Sequence, residues 1–188
     1  MSLKIIALTG PKGSGKDTVA GLIARQYHNV NTIAFADPIK KVINNLFELD
    51  PSNNDQYDAF KRTQITYQLP GYLSHAVQGR ELVREIGMLM RSYDEKQFTN
   101  YVVNEIRYKP DDIWVVSDLR FDNEYMILKS LGAKIISIKR PSYEYDGHIT
   151  ERGFNDSLVD YTIVNDGDLN YLDNILASVV IKIMKEWK

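Results

Sequence analysis

The fold of this chain is decided by residues 4–18, Lys4-Ile5-Ile6-Ala7-Leu8-Thr9-Gly10-Pro11-Lys12-Gly13-Ser14-Gly15-Lys16-Asp17-Thr18. The apolar run 4–9 ends at a glycine, which is typical of a buried strand. From Gly15 the apolar residues repeat at helical spacing until about Tyr27. Residues 10–16 satisfy the pattern G-x-x-x-x-G-K in the strand–loop–helix setting that the pattern requires. The sequence therefore predicts a phosphate-binding loop (P-loop) after the first strand.

A loop of this kind binds phosphate mainly through its backbone. Glycines let the chain wrap inward, so that successive N–H groups point at phosphate oxygens, and the following helix adds its positive end. Lys16 is expected to reach the β- and γ-phosphates of a nucleotide as a point charge. The residues predicted to bind the nucleotide in this loop are Gly10, Lys12, Gly13, Ser14, Gly15, Lys16, Asp17 and Thr18.

Three residues are candidates for organising Mg²⁺. Asp17 stands where most P-loops place the Ser or Thr that ligates the metal, and Thr18 brings a hydroxyl one residue late. Asp17 is expected either to hold the metal through water or to favour the helix N-terminus electrostatically. Asp118 ends the apolar run 113–117, as the second acidic residue of a P-loop site does. Two interpretations of Asp118 stay open, a metal-bound water contact and a cap for the next helix.

The order of elements predicts an α/β protein with a five-stranded parallel sheet covered by helices on both faces. Residues 48–78 are polar and irregular, and we expect an insert there with one helix near 55–65. We predict a single domain over 1–188, with a helical insert at 37–108 and a lid at 140–156. The insert is expected to bind a second substrate, the acceptor, which would receive phosphate from a nucleotide bound at the P-loop. The predicted strands are 4–9, 31–36, 113–117, 134–139 and 160–164, and the predicted helices are 15–27, 37–47, 79–92, 95–108, 121–131 and a last one after Asp168.

Composition excludes several classes of protein. The 188 residues include 23 Lys and Arg against 25 Asp and Glu, a net charge of −2, which argues against a protein that coats DNA. The absence of cysteine excludes disulfide scaffolds and thiolate metal sites. No apolar run is long enough to span a membrane, and the start of the sequence lacks a signal-peptide pattern. We therefore expect a soluble cytoplasmic protein with small-molecule partners.

Arginines form a stripe on the predicted helix 79–92. Arg80, Arg84, Gly87 and Arg91 share one side of the helix because they are four, three and four residues apart. A positive face in which Gly87 leaves a gap suits a dianionic monophosphate, and a solvated face is the alternative. The residues expected on the buried side are Leu82, Val83, Ile86, Leu89 and Met90.

Motifs in order over nearly the whole chain resemble those of bacteriophage deoxynucleoside monophosphate kinases. They are Gly15-Lys16-Asp17-Thr18, Ala36-Asp37-Pro38-Ile39-Lys40, Gly79-Arg80-Glu81-Leu82, Ile86-Gly87, Ser117-Asp118-Leu119-Arg120-Phe121-Asp122-Asn123-Glu124, Leu131-Gly132-Ala133, Ile138-Lys139-Arg140-Pro141, His148-Ile149-Thr150-Glu151 and Asn165-Asp166-Gly167. An Asp after the P-loop lysine is expected in that family. The Ser-Gly-Lys-Asp and Val-Ser-Asp-x-Arg segments are also similar to animal phosphomevalonate kinases, so phosphomevalonate is the alternative acceptor.

The resemblance implies a kinase that uses ATP and Mg²⁺, with the strand order 2-3-1-4-5, working in the host cytoplasm if it comes from a phage. It implies that Lys16, Arg120 and Arg140 act on the transferring phosphoryl group. A homodimer is a further possibility, and no nucleic acid or membrane partner is expected. The resemblance assigns Asn165 and Gly167 to ATP, and Asp37, Lys40, Arg80, Arg91, Arg120, His148 and Glu151 to the acceptor.

Overall fold

A computed structural model describes residues 3–67, 75–141 and 156–187. Its strands are β1 (Lys4–Thr9), β2 (Val30–Ile33), β3 (Gln64–Tyr67), β4 (His75–Gln78), β5 (Ile113–Val116), β6 (Lys134–Lys139) and β7 (Tyr161–Val164). Its α-helices are α1 (Lys16–Gln26), α2 (Asp37–Leu46), α3 (Asn54–Arg62), α4 (Gly79–Tyr93), α5 (Gln97–Tyr108), α6 (Asp122–Ser130) and α7 (Leu169–Glu186), and a short 3-10 helix covers Asp156–Leu158.

The chain divides into two compact units. The sheet unit comprises Met1–Phe35 and Val102–Lys188, and the helical unit comprises Ala36–Tyr101. The helical unit begins at Ala36, one residue before the insert predicted at 37–108. The predicted insert ends later than the helical unit, because it includes the second half of α5, which groups with the sheet.

The sheet unit is built on five parallel strands in the order β2-β5-β1-β6-β7. The strands β3 and β4, which the sequence did not predict, come between β2 and β5 along the chain, so the later strands carry higher numbers than in the predicted order. The five strands of the parallel sheet themselves follow the predicted order 2-3-1-4-5. The strand before the P-loop is central, with Ala7 of β1 paired to Val116 of β5 and to Ile135 of β6. The carboxyl ends of these strands therefore lie at one edge of the sheet, where ligands bind in folds of this class.

The core covers both faces of the sheet. Successive strand residues point to opposite faces, and four successive β1 residues (5–8) are fully buried. Helix α7 begins after Asp168, whose carboxylate accepts the N–H of Tyr171 at 2.8 Å, as an N-cap does. Apolar residues on one side of this helix pack into the core, whereas Leu169 in its first turn is 55% exposed. The α7 residues buried in the core are Leu172, Leu176, Val180 and Ile183.

The helical unit contains an antiparallel hairpin that the sequence did not predict. Strands β3 and β4 pair from Gln64 with Gln78 to Tyr67 with His75. The segment 48–78 was predicted to be irregular apart from one helix, and α3 confirms that helix. The hairpin was missed because its strands are short and polar and lack the two-residue turn that marks a hairpin.

Helix α4 buries glycines rather than the predicted apolar side. A Cβ on Gly87 would stand 2.8 Å from Cδ1 of Ile39, so the glycine lets α2 pack closely against α4. The gap expected to receive a phosphate is thus filled by Ile39, a correction to the sequence-based interpretation. Leu89, expected on the buried side, is 57% exposed. None of the helices in the described ranges is both long enough and apolar enough to cross a membrane.

Candidate nucleotide-binding site

The loop between β1 and α1 has the backbone of a phosphate-binding loop. Gly10, Gly13 and Gly15 have φ angles of 141°, 73° and 103°, which other residues rarely adopt. A Cβ on Gly10 would lie 2.2 Å from the carbonyl oxygen of Ile138, so no side chain fits there. Gly15 is the N-cap of α1, which starts at Lys16. The predicted strand–loop–helix arrangement is therefore present.

Side chains hold the carbonyl oxygens of the loop. Lys16 is 7% exposed, and its ammonium group donates to the carbonyls of Gly10 at 2.9 Å and Pro11 at 2.8 Å. Nη1 of Arg140 donates to the carbonyl of Gly13 at 3.4 Å, and Nδ2 of Asn165 donates to that of Ser14 at 2.8 Å. These donors come from the start of α1 and from the ends of β6 and β7. The loop is thus fixed from three directions.

The other residues predicted to bind nucleotide lie in or beside the loop. Asp17 and Thr18 are exposed in the first turn of α1, where a carboxylate favours the positive end of the helix. The Ser14 hydroxyl is buried and has no hydrogen-bond partner among the described residues. Lys12 is half-buried. Gly167 lies against Tyr171, whose ring would be 2.5 Å from an added Cβ.

The segment after β5 is tied to the neighbouring strands. Ser117 donates its N–H to the carbonyl of Ile33 at 3.0 Å, and Leu119 donates to Leu8 at 3.1 Å. The side chain of Asp118 accepts the N–H of Phe35 at 2.7 Å. Asp118 is thereby fixed beside β1 and β2. Its contact with Phe35 was in neither of the two interpretations offered by the sequence.

A buried glutamate holds the backbone of Arg120. Oε2 of Glu124 accepts the N–H groups of Arg120 at 3.0 Å and Phe121 at 3.1 Å, and Glu124 is 1% exposed. Glu124 is the third residue of α6, whose N-cap is Phe121. Glu124 belongs to the motif 117–124, for which the sequence predicted no role at this residue. Its spacing of three residues from a helix start was the available signal.

In the helical unit, the predicted acceptor residues lie on two helices that pack together. Asp37 and Lys40 are on α2, and Arg80 and Arg91 are on α4. Both arginines are half-buried, as is Arg84. The guanidinium carbon of Arg91 lies 4.5 Å from the ring centre of Phe98, a cation–π contact.

Lys40 belongs to a small cluster around Tyr57 that the sequence did not indicate. Its ammonium group donates to Oδ1 of Asn54 and lies 5.4 Å from the centre of the Tyr57 ring. Lys61 lies 5.0 Å from the same ring. Burial, with smaller contributions from the charges of Asp58 and Asp37, raises the pKa of Tyr57 to about 12. The phenol therefore stays neutral at physiological pH.

His148 and Glu151, predicted in the lid, lie outside the described residues. Arg140, at the start of the predicted lid, is described and reaches the P-loop. Arg120 follows β5 in the sheet unit, together with Asp118 and the P-loop. The structure therefore brings the predicted donor residues together at the carboxyl ends of β1, β5, β6 and β7.

Comparison with known proteins points to one family. The family model for deoxynucleotide monophosphate kinase matches residues 4–110 and 85–176. A protein of Acanthamoeba polyphaga mimivirus, named "Putative deoxynucleotide monophosphate kinase", is 31% identical to this chain over 155 residues. That alignment covers 76% of this chain and 77% of the viral protein.

Proposed function

Since the chain belongs to the deoxynucleotide monophosphate kinase family, we propose that its sheet unit binds ATP and its helical unit binds the acceptor. The family membership gives the reaction. A phosphoryl group is transferred to a deoxynucleoside 5′-monophosphate, which becomes the diphosphate, and ATP is the donor that a kinase of this class uses.

The proposal that the sheet unit binds ATP rests on the P-loop. Its glycines have the φ angles that a phosphate-binding backbone requires, and its carbonyls are held by Lys16, Arg140 and Asn165. In our proposal the loop amides and Lys16 bind the β- and γ-phosphates. Arg120 and Arg140 neutralise charge on the transferring group, which is the main task of a protein in phosphoryl transfer. An acceptor phosphate oxygen is already anionic, so no strong base is needed.

The residues present suit Mg²⁺ bound together with ATP. Such a metal needs only one or two protein oxygens besides the phosphates and water, and no cluster of three acidic or histidine side chains is present in the described ranges. Asp118 and Asp17 offer carboxylate oxygens and Thr18 offers a hydroxyl, all hard ligands of the kind Mg²⁺ prefers. When bound, the metal would neutralise phosphate charge. Asp118, fixed by Phe35, would orient its water ligands.

The acceptor phosphate is assigned to arginines of α4. Arg80 and Arg91 are half-buried cations on one stripe of the helix, and Asp37 and Lys40 are on the helix packed against it. Guanidinium groups suit a dianionic phosphate because they offer paired N–H donors. His148 and Glu151 complete the proposed acceptor set. The cytoplasmic location expected from the sequence stays a prediction.

An acceptor panel tests the proposal. ADP release is measured in a coupled assay with ATP, Mg²⁺ and each of the common deoxynucleoside monophosphates, ribonucleoside monophosphates and phosphomevalonate. A reaction without acceptor gives the background hydrolysis. We expect ADP release above that background with at least one deoxynucleoside monophosphate. Turnover with phosphomevalonate alone would contradict the acceptor assignment, and no turnover with any acceptor would contradict the kinase itself.

A further inference from the structure

We propose that Asn165 positions the P-loop for triphosphate binding, acting through the backbone rather than by contact with the base. The inference rests on the proposed donor site and adds a role to it. Asn165 follows β7, and its side chain lies against the peptide that joins Ser14 to Gly15. The resemblance assigned this residue to ATP, and the side-chain hydrogen bond that it makes in the structure is with the loop.

The hydrogen bond fixes the direction of one loop amide. Nδ2 of Asn165 donates to the carbonyl oxygen of Ser14 at 2.8 Å. A trans peptide is planar, and its C=O and N–H groups point in opposite directions. Holding the Ser14 carbonyl toward Asn165 therefore turns the N–H of Gly15 away from Asn165. That N–H belongs to the turn that leads into α1, where P-loop amides bind phosphate.

The fit around Gly15 shows that this contact is built into the loop. A Cβ on Gly15 would stand 2.6 Å from Nδ2 of Asn165, so any other residue would collide with the asparagine. Gly15 also has a φ of 103°, which disfavours a side chain independently. Glycine is therefore favoured at position 15 both by the backbone of the turn and by the close approach of Asn165.

Asn165 is itself held in place. Its backbone N–H donates to the carbonyl of Lys139 at 2.7 Å, which continues the pairing of β6 with β7. The next residue after Lys139 is Arg140, which donates to the carbonyl of Gly13. Two neighbouring strand ends thus supply donors to two successive loop carbonyls. An amide is suited to this task because it donates without charge, whereas a carboxylate would repel the carbonyl oxygen.

Ligand binding separates a positioning role from contact with adenine. The dissociation constants of ATP and of tripolyphosphate, which has no base, are measured for the wild type, Asn165→Asp and Asn165→Ala. We expect both ligands to weaken by the same factor, about 5-fold to 10-fold in Asn165→Ala, the size of one hydrogen bond, and more in Asn165→Asp. The control is Asn170→Asp, the same change at an exposed position of α7, which should leave both constants unchanged.

Each other result has a distinct meaning. If ATP weakens and tripolyphosphate does not, Asn165 contacts the base and the inference is wrong. Unchanged binding of both ligands in Asn165→Asp also overturns it. If the wild type itself fails to bind ATP, the donor site of the proposed function fails as well. Thermal melts of each variant identify a loss of folded protein, and Asn165→Ala provides the same test if Asn165→Asp does not fold.

Discussion

The carboxylate of Asp118 accepts the backbone N–H of Phe35 at 2.7 Å, which ties the end of β5 to the residues that follow β2. Phe35 is 2% exposed, so this N–H would be costly to leave without an acceptor. Asp118 therefore has a structural bond in addition to the metal-related role proposed for it. The two roles use different properties of the carboxylate, namely an acceptor oxygen and a negative charge.

Two substitutions of Asp118 separate those roles. Asp118→Asn keeps an acceptor for Phe35 and removes the charge, so we expect near-normal melting. The Mg²⁺ concentration that gives half-maximal rate should rise by roughly 10–100-fold, the scale for groups that orient metal ligands. Asp118→Ala also leaves the Phe35 N–H without its acceptor and should lose about 1–3 kcal/mol of stability. Rates against Mg²⁺ concentration and thermal melts measure the two effects. An unchanged Mg²⁺ dependence in Asp118→Asn would mean that Asp118 has only a structural role.

Lys16→Met tests the donor site. Loss of the ammonium charge should lower kcat by roughly 10²–10³, the scale of one preorganised stabilising group. The control is Lys182→Met, which makes the same change at an exposed position of α7 and should leave turnover unchanged. Initial rates at saturating substrates measure the effect, with circular dichroism to verify folding. Near-normal turnover in Lys16→Met would mean that ATP binds elsewhere.

The arginine stripe of α4 provides a comparison of three equal substitutions. Arg80→Ala and Arg91→Ala each remove a charge-assisted contact worth about 1.5–3 kcal/mol, which corresponds to roughly 10–150-fold in kcat/KM for the monophosphate. Arg84→Ala should have a smaller effect because the family resemblance assigns Arg80 and Arg91, and not Arg84, to the acceptor. The KM for ATP should barely change in any of them. Arg91→Ala should also melt earlier, since it loses the Phe98 contact.

The measurement is the initial rate against acceptor concentration at saturating ATP. Equal and small effects at all three arginines would mean that the stripe does not bind the acceptor phosphate. The acceptor phosphate would then have to be sought at Lys40, whose ammonium group is held by Asn54.

Local patterns in the sequence were enough to predict the sheet unit. Gly10–Lys16 and the apolar strands fix the sheet, because a parallel strand buried on both faces shows as a continuous apolar run. The start of the last helix after Asp168 could be predicted because capping depends on neighbouring residues only, and Asp168 does cap that helix. The grouping of Lys16, Arg140 and Asn165 around the loop carbonyls depends on strand order, and no local pattern predicts those bonds.

The helical unit was harder to predict because its packing depends on contacts between distant residues. Gly87 was interpreted as a gap for a ligand, yet Ile39, far away in the sequence, fills it. The same holds for the contact of Tyr57 with Lys40, which joins α3 to α2, whereas Lys61 lies one turn from Tyr57 on the same helix. A glycine in a helix reveals that something comes close to it, and the sequence alone does not say what.

A pH-dependent contribution to stability is expected from Glu186 at the end of α7. The hydrogen bond from Lys134, followed by that from Tyr161, lowers the pKa of Glu186 below its ordinary value. A lowered pKa means that the stabilisation is present above the ordinary glutamate pKa and is lost as pH falls through the folded-state pKa. Glu186→Gln should therefore melt slightly earlier than the wild type at neutral pH.

Melting temperatures from neutral pH down to pH ~3 test this, since protonation of the wild type removes the same interaction. The difference between the wild type and Glu186→Gln should shrink as the pH falls. Glu105→Gln, an exposed change in α5, is the control and should show no such trend. A difference that is constant with pH would mean that the charge of Glu186 does not contribute.

Two glycine-to-alanine substitutions should change stability in opposite directions. Gly21 is inside α1 with nothing within 4 Å of an added Cβ, so Gly21→Ala should gain about 0.5–1 kcal/mol from helix propensity. Gly79 begins α4, and its Cβ would stand 2.2 Å from the carbonyl oxygen of Phe60. Its N–H also donates to the carbonyl of Thr63 at 2.9 Å, so the backbone has little room to move away. Gly79→Ala should therefore lose about 1–3 kcal/mol.

Urea unfolding followed by circular dichroism measures both changes, and each glycine is the matched control for the other. The Gly21→Ala midpoint should rise and the Gly79→Ala midpoint should fall. A rise in both would mean that α4 can shift away from Phe60 at little cost. The close contact between the start of α4 and the end of α3 would then be loose. A fall in both would instead show that the space beside Gly21 is needed when α1 packs against α7.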